Sequence, residues 1–420
     1  MVLVLLFAAA TLGEVYINHK WQPKVDFRAY RATALTAGQS GDIYDYHRSG
    51  DHHLRTTPYT YPPLFACLIY PLAKLPLAFG YYLWCGLMLV SLGGAVVLIK
   101  RTIQVLGVQR SGLLAVAPLL LCPFILDSNL YWGQVNVLVM TLVAGVVLME
   151  VRGRSLAAGS LLAVAAALKV LPALILLWFL ARRDTRALAG FAATAVLVLL
   201  GIPALVGGPG WAWEMNVAWV EILLGIVTDG RSALQSYYNG LSNGSLVATF
   251  DRLFGGSGNK ALLVSISQKR IDSIVNLIRM ALVMASIVAV TRASLLRRRA
   301  LMPQLFALAV AMLLVCGWLI NYLLWDHHLV GLILVLPLLA AVVMDRRLSA
   351  RWRQPLVVCL VAGVLAMTSG FYAGSRRWGL QALCLLVLWG GTFWALIGAD
   401  RALVDEHSPG SQLLLPLRRW

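Results

Sequence analysis

The chain has 420 residues, 60% of them hydrophobic and only 13% charged, with a mean hydropathy of +0.78. That balance excludes a soluble globular domain and a disordered chain, and it predicts an all-α polytopic membrane protein. The excess of Lys and Arg (35) over Asp and Glu (18) is what the cytoplasmic loops of such a protein accumulate, so it does not indicate a nucleic-acid partner.

Apolar runs bounded by charges and Gly/Pro predict about twelve spans: 1–16, 78–99, 111–127, 134–150, 155–168, 170–181, 187–206, 273–291, 301–320, 329–344, 355–373 and 380–398. The first, MVLVLLFAAATLGEVY, has no basic leader and no cleavage site and reads as a span. It is shorter than the roughly 20 residues that cross a bilayer, which suggests further residues upstream of Met1. The long loop 17–77 follows, carrying Asp26 among Lys24, Arg28 and Arg31. In SLAAGSLLAVAAALKVLPALILLWFLARR, two segments of about a dozen residues meet at Lys169 and Pro172. They predict a short hairpin that places Lys169 within the membrane, where a lysine costs roughly 2.5–3.5 kcal/mol and needs a partner, a wet cavity or a route to the headgroups. Arg279, in the span 273–291, poses the same question. A second long loop, 207–272, is rich in Trp and Tyr, which suits it to the interface.

Placing the N-terminus inside puts sixteen basic residues in the short inner loops and two, Arg376 and Arg377, in the short outer ones. The bias predicts both termini inside and both long loops outside. The six cysteines all fall in apolar stretches without a CxxC or a Cys/His cluster, so they read as packing residues.

Four outward clusters carry the polar chemistry: Asp26 with Arg28, Tyr30 and Arg31; DSNLYWGQVN (127–136); SYYNGLSNGSL (236–246); and NYLLWDHHL (321–329). Each also has a plain structural reading. Asp26 is a good N-cap for the helix after it, the Asn, Gln and Trp groups suit interfacial turns, and His327 and His328 suit a solvated loop without further metal ligands. The sequon at Asn243 is a chance match if the source is bacterial. No phosphate-binding glycine loop or nucleophile elbow occurs, so an enzyme of this kind needs a donor already in the lipid phase. For a lipid-linked phosphosugar, Asp26 is a candidate base. Lys169, Arg279, Arg28 and Arg31 are candidate partners of the departing phosphate. The outer-loop polar and aromatic groups Tyr30, Tyr61, Asn129, Gln134, Asn136, Tyr237, Asn239 and Asp326 are candidates for holding the sugar and acceptor. Arginines around Asp26 predict an ionised carboxylate at neutral pH. No metal and no cofactor are expected.

VDFRAYRATALTAGQSGDIYDY, YTYPPLFACLIYPLAKLP, YWGQVNVLVMTLVAG, AAALKVLPALILLWFLARR and WDHHLVGLILVLPLL, in this order and spacing, resemble glycosyltransferase family 87 over residues 15 to about 345. The resemblance implies a GT-C fold and an inverting α-1,2-mannosyltransferase. Its donor would be polyprenyl-phosphate mannose, and its acceptor a phosphatidylinositol mannoside at the outer face of a bacterial plasma membrane. It further implies that Asp26 is the general base and that His327 or His328 is important. An enzyme of the same family that branches lipomannan is the near alternative. A lipid-linked sugar transporter is a remote one, since no paired halves are visible.

Overall fold

A backbone in hydrocarbon must satisfy its own amides and carbonyls, and helices do this within each segment. The computed structural model describes residues 25–44, 59–109, 111–121, 123–233, 243–256, 260–296, 299–369 and 373–402, and no strand occurs among them. In chain order the helices are α1 (Val25–Ala37), α2 (Pro63–Ala73), α3 (Leu77–Val105), α4 (Ser111–Leu121), α5 (Pro123–Trp132), α6 (Asn136–Val151) and α7 (Ser155–Leu168). A 3-10 turn (Leu171–Ile175) then leads into α8 (Leu176–Arg182). Next come α9 (Thr185–Gly207), which widens at Leu197–Gly201, α10 (Pro209–Ala233), α11 (Leu246–Phe254), α12 (Gln268–Ser294) and α13 (Met302–Ile320). A second 3-10 turn (Asp326–Gly331) opens α14 (Leu332–Met344), and α15 (Ala350–Thr368), α16 (Ala373–Arg377) and α17 (Leu380–Ile397) complete the order.

The expected spans coincide with helices wherever the chain is described, and they differ in length. Among the described residues, seven helices are long and apolar enough to cross a membrane, or eight if α4 and α5, whose axes differ by 66°, form one span. The expected spans 134–150, 155–168 and 170–181 are shorter apolar helices, and at 1.5 Å per residue the 14 residues of α7 reach only about 21 Å. The expected span 1–16 lies outside the described residues. The loop 17–77 contains α1 and α2, and the loop 207–272 contains α10 and α11.

The hairpin expected at Lys169 is present. The helix leaves α geometry at Lys169 (φ −156°, ψ 124°), and Pro172, which has no amide to donate, starts the 3-10 turn. Its two ends return to one place: Ser155 Oγ donates to Glu150 Oε2 at 3.0 Å, and Arg182 acts on the same carboxylate. Lys169 is therefore at the far tip. Glycines let α7 and α9 cross closely, because a Cβ on Gly159 would overlap the Ala187 carbonyl and one on Gly190 the Leu156 carbonyl.

The centre of the bundle is α13, apolar apart from Gln304 and buried along nearly its whole length, whereas most of α9 is not buried. The surface of the outer helices is apolar, as at Val90 and Leu205, which suits it to lipid rather than water. All five described cysteines are free and buried.

One polar knot ties α13 to α14. Gln304 Nε2 donates to Asp345 Oδ2 at 2.8 Å, while Arg347 donates from Nε to Oδ1 at 2.9 Å and from Nη2 to Oδ2 at 2.6 Å. Burial pushes the Asp345 carboxyl up, but the Arg347 bonds and charge and the Gln304 amide outweigh it and hold the carboxyl below the ordinary range. Its stabilising effect is therefore present above the ordinary value of 3.8 and is lost as pH falls below it. Since Arg347 is about a third exposed, Asp345→Ala should cost about 2 kcal/mol at pH 7, less than for a fully buried pair. Thermal unfolding in detergent should show that loss at pH 7 and little of it near pH 3.

Candidate active site

Helical spacing decides what surrounds Asp26. The residue lies in the first turn of α1, where a carboxylate complements the helix dipole, rather than at the N-cap. At 100° per residue, Tyr30 is about 40° round the helix from Asp26, whereas Arg28 and Arg31 are about 160° and 140° away. The expected ring of arginines is therefore absent: Arg31 Nη2 reaches the Leu75 carbonyl at 3.5 Å instead. Phe27 packs edge-on to Tyr81, and Tyr30 edge-on to Phe65 and Tyr61, which fixes α1 against α2 and α3 with Asp26 buried.

Two other elements meet it. Gln134 Nε2 donates to Asp26 Oδ2 at 2.5 Å, and the Lys169 ammonium acts on the same carboxylate. Burial is the largest influence on Asp26 and raises its pKa, while the Gln134 bond and Lys169 lower it. The balance lies at about 6, up from 3.8. The carboxylate is still ionised at neutral pH, as expected, but it is a stronger base than an arginine-ringed one because the cause is desolvation opposed by one lysine.

The turn that carries Gln134 is bolted in place. Asn129 Nδ2 donates to the Gln134 carbonyl at 3.0 Å, Trp84 Nε1 to the Gly133 carbonyl at 2.8 Å and Tyr81 Oη to the Leu130 carbonyl at 2.8 Å. Gly133 has φ +73°, and a Cβ there would come within 2.9 Å of Phe27, so only glycine fits. Asn136 bridges two further pieces, accepting from Lys169 Nζ at 2.6 Å and donating to the His327 carbonyl at 3.0 Å.

His327 and His328 differ in a way the sequence does not reveal. The His328 ring stacks on Trp325, and its Nδ1 accepts from the Trp325 amide at 3.3 Å. The His327 side chain is buried, with neither ring nitrogen hydrogen-bonded. Both imidazoles are close enough to feel the Lys169 charge. Such an orphaned buried ring calls for an explanation, and a bound polar ligand supplies one.

Asp26, Tyr30, Tyr61, Gln134, Asn136, Lys169, His327 and His328 thus converge at one end of the bundle. Asp326 opens the turn that carries the histidines. Asn129 is fully buried, and Gln134 and Asn136 are engaged at both ends of their amides. These three side chains therefore tie the elements of the site together, beside the sugar-holding role expected of them. Arg279 is separate: its Nε donates to the Ile320 carbonyl at 2.7 Å and its guanidinium lies 4.2 Å over the Tyr322 ring. Tyr237 and Asn239 lie outside the described residues. Asn243 is fully buried, donating to the Tyr322 carbonyl and accepting from the Leu324 and Ser245 amides, so its sequon is inaccessible in the fold. Trp325, which packs against both histidines, was missed in the sequence. Its only signal there is its place directly before Asp-His-His.

The arrangement defines a multi-pass helical membrane protein with a buried carboxylate, lysine and histidines at one end. The model of glycosyltransferase family 87 matches residues 59–321, and the chain belongs to that family, a GT-C membrane family. It is 35% identical over 195 residues to a polyprenol-phosphate-mannose-dependent alpha-(1-2)-phosphatidylinositol mannoside mannosyltransferase of Mycolicibacterium smegmatis, covering 43% of this chain and 42% of the relative. A protein of the same name from Mycobacterium tuberculosis is 30% identical over 327 residues, 74% of this chain and 67% of the relative. A polyprenol-phosphate-mannose-dependent alpha-(1-2)-phosphatidylinositol pentamannoside mannosyltransferase of Mycobacterium tuberculosis is 28% identical over 211 residues, 50% and 48%. The chain thus matches less than half the length of the first and third of these relatives.

Proposed function

We propose that this protein is an inverting mannosyltransferase that moves mannose from polyprenyl-phosphate mannose to a phosphatidylinositol mannoside through an α-1,2 linkage, converting the tetramannoside to the pentamannoside. The observation that carries the reading is that one turn holds both groups, Gln134 bonding to Asp26 on α1 and Asn136 to Lys169 at the hairpin tip, supported by the names of the relatives. Asp26 takes the proton of the acceptor hydroxyl as its oxygen bonds to the anomeric carbon. The bond from that carbon to the phosphate oxygen breaks, and the polyprenyl phosphate leaves with the electron pair. Attack from the opposite face turns a β-linked donor into an α-mannoside. Lys169 and the single N–H of the neutral His327 imidazole stabilise the departing phosphate in place of a metal. Both termini are cytoplasmic in this reading, and the site faces the periplasm.

The test is transfer by purified protein from polyprenyl-phosphate mannose to tetramannosylated phosphatidylinositol, with the product linkage read by mass spectrometry. Because Asp26 must be deprotonated to act and titrates near 6 in the donor-free protein, kcat/KM should rise with pH through about 6 and level off above 7. Chelator should leave the rate unchanged. Strict loss restored by magnesium or manganese would overturn the metal-free mechanism.

A further inference from the structure

We propose that Gln134 is a positioning residue that fixes the rotamer and the basicity of Asp26, and that it does so through a one-way chain of hydrogen bonds that begins at Tyr30. This rests on the reading of Asp26 as the base. The chain runs Tyr30 Oη to Tyr61 Oη at 3.1 Å, Tyr61 Oη to Gln134 Oε1 at 3.0 Å, and Gln134 Nε2 to Asp26 Oδ2 at 2.5 Å. Its direction follows from chemistry. A carboxylate can only accept, so Gln134 must present its amide nitrogen to Asp26 and its oxygen to Tyr61, and Tyr61 must then spend its hydroxyl hydrogen on Gln134. That leaves Tyr61 as the acceptor from Tyr30. Every donor in the chain points toward Asp26, and bonds aligned in this way polarise one another.

Three consequences follow from that alignment. Oδ2 is occupied, so Oδ1 is the atom that faces the acceptor hydroxyl. The donated bond favours the ionised carboxylate against its burial, which keeps the base from being protonated at neutral pH. The amide cannot turn over without setting its oxygen against the carboxylate, and the turn beneath it is held by Asn129, Trp84 and Tyr81. The other charged or titratable groups facing Asp26 are Lys169 from the hairpin tip and the two tyrosines, with His327 and His328 beside Lys169.

The experiment is the pH dependence of mannose transfer by the full-length protein, with KM for donor and acceptor taken separately, for Gln134→Leu, Tyr61→Phe and Asp26→Asn. Gln134→Leu should move the acidic limb upward by about one pH unit. It should also lower the plateau kcat by about tenfold or more, with both KM values within about twofold of wild type. Tyr61→Phe, which leaves Gln134 in place but removes its orienting donor, should move the limb in the same direction by less. An unmoved limb with a raised acceptor KM would make Gln134 a sugar contact and overturn the proposal. If Gln134→Leu does not fold, an unmoved limb in Tyr61→Phe overturns it equally. Substantial activity in Asp26→Asn would instead remove the base reading itself, so the two failures are distinguishable.

Discussion

Asp26→Asn should lower mannose transfer by about a thousandfold and at the same time make the protein more stable above pH 6. The rate loss follows because an amide accepts the Gln134 bond but takes no proton. The gain in stability follows from the direction of the pKa change. The folded state raises Asp26 from 3.8 to about 6, so it holds the proton more tightly than the unfolded chain. Its contribution is fully present below about 3.8 and is lost as pH rises through about 6. Above that, the ionised carboxylate carries a penalty of about 3 kcal/mol, two pH units at roughly 1.4 kcal/mol each. Thermal unfolding of wild type and variant in the same detergent should therefore diverge between pH 4 and pH 7, with the variant the more stable at the higher pH. An inactive variant whose stability tracks wild type across that range would show that the carboxylate is not desolvated as described.

Replacing Lys169 by Met should have the second largest effect, a fall of about a hundredfold or more in kcat/KM for the donor. Two losses combine. The departing phosphate loses a buried cation, and the Asp26 carboxylate loses the positive charge that offsets its burial, so the acidic limb of the pH profile moves above about 6. Asn136 also loses the donor at its Oδ1, which loosens the bridge to the His327 carbonyl. Lys169→Arg retains the charge but is too bulky to keep the 2.6 Å bond to Asn136, so it should restore the limb more than the rate. Arg279→Ala, by contrast, should leave donor saturation close to wild type, since the bonds of Arg279 are to Ile320, Asn276 and Tyr322.

Much of this site is legible in the chain. Composition gives the membrane class, the break at Lys169 and Pro172 gives the hairpin, and the position of a carboxylate among Lys24, Arg28 and Arg31 in the first outer loop singles out Asp26. Helical periodicity could also have placed Arg28 and Arg31 on the far side of α1 from Asp26. The residue list in one dimension suggested a ring of charge that the 100° step removes. Hydropathy likewise marks α6, α7 and the 171–182 segment as apolar, but it does not say that each is shorter than the seven long apolar helices found among the described residues.

The sequence by itself determined the helical class, the family and the few residues worth suspecting, because those depend on hydropathy, charge and motif order along the chain. Only the tertiary structure decided that Asp26 is buried, and that Gln134 and Lys169, 108 and 143 positions beyond it, are the groups that oppose the effect of that burial on its basicity. It alone separated His327, with open nitrogens, from His328, tied to Trp325. The reason is that a pKa and a hydrogen bond depend on burial and distance. Those are set by how α1, the 133–136 turn, the hairpin tip and the 326–331 turn pack together, and no local pattern encodes that packing.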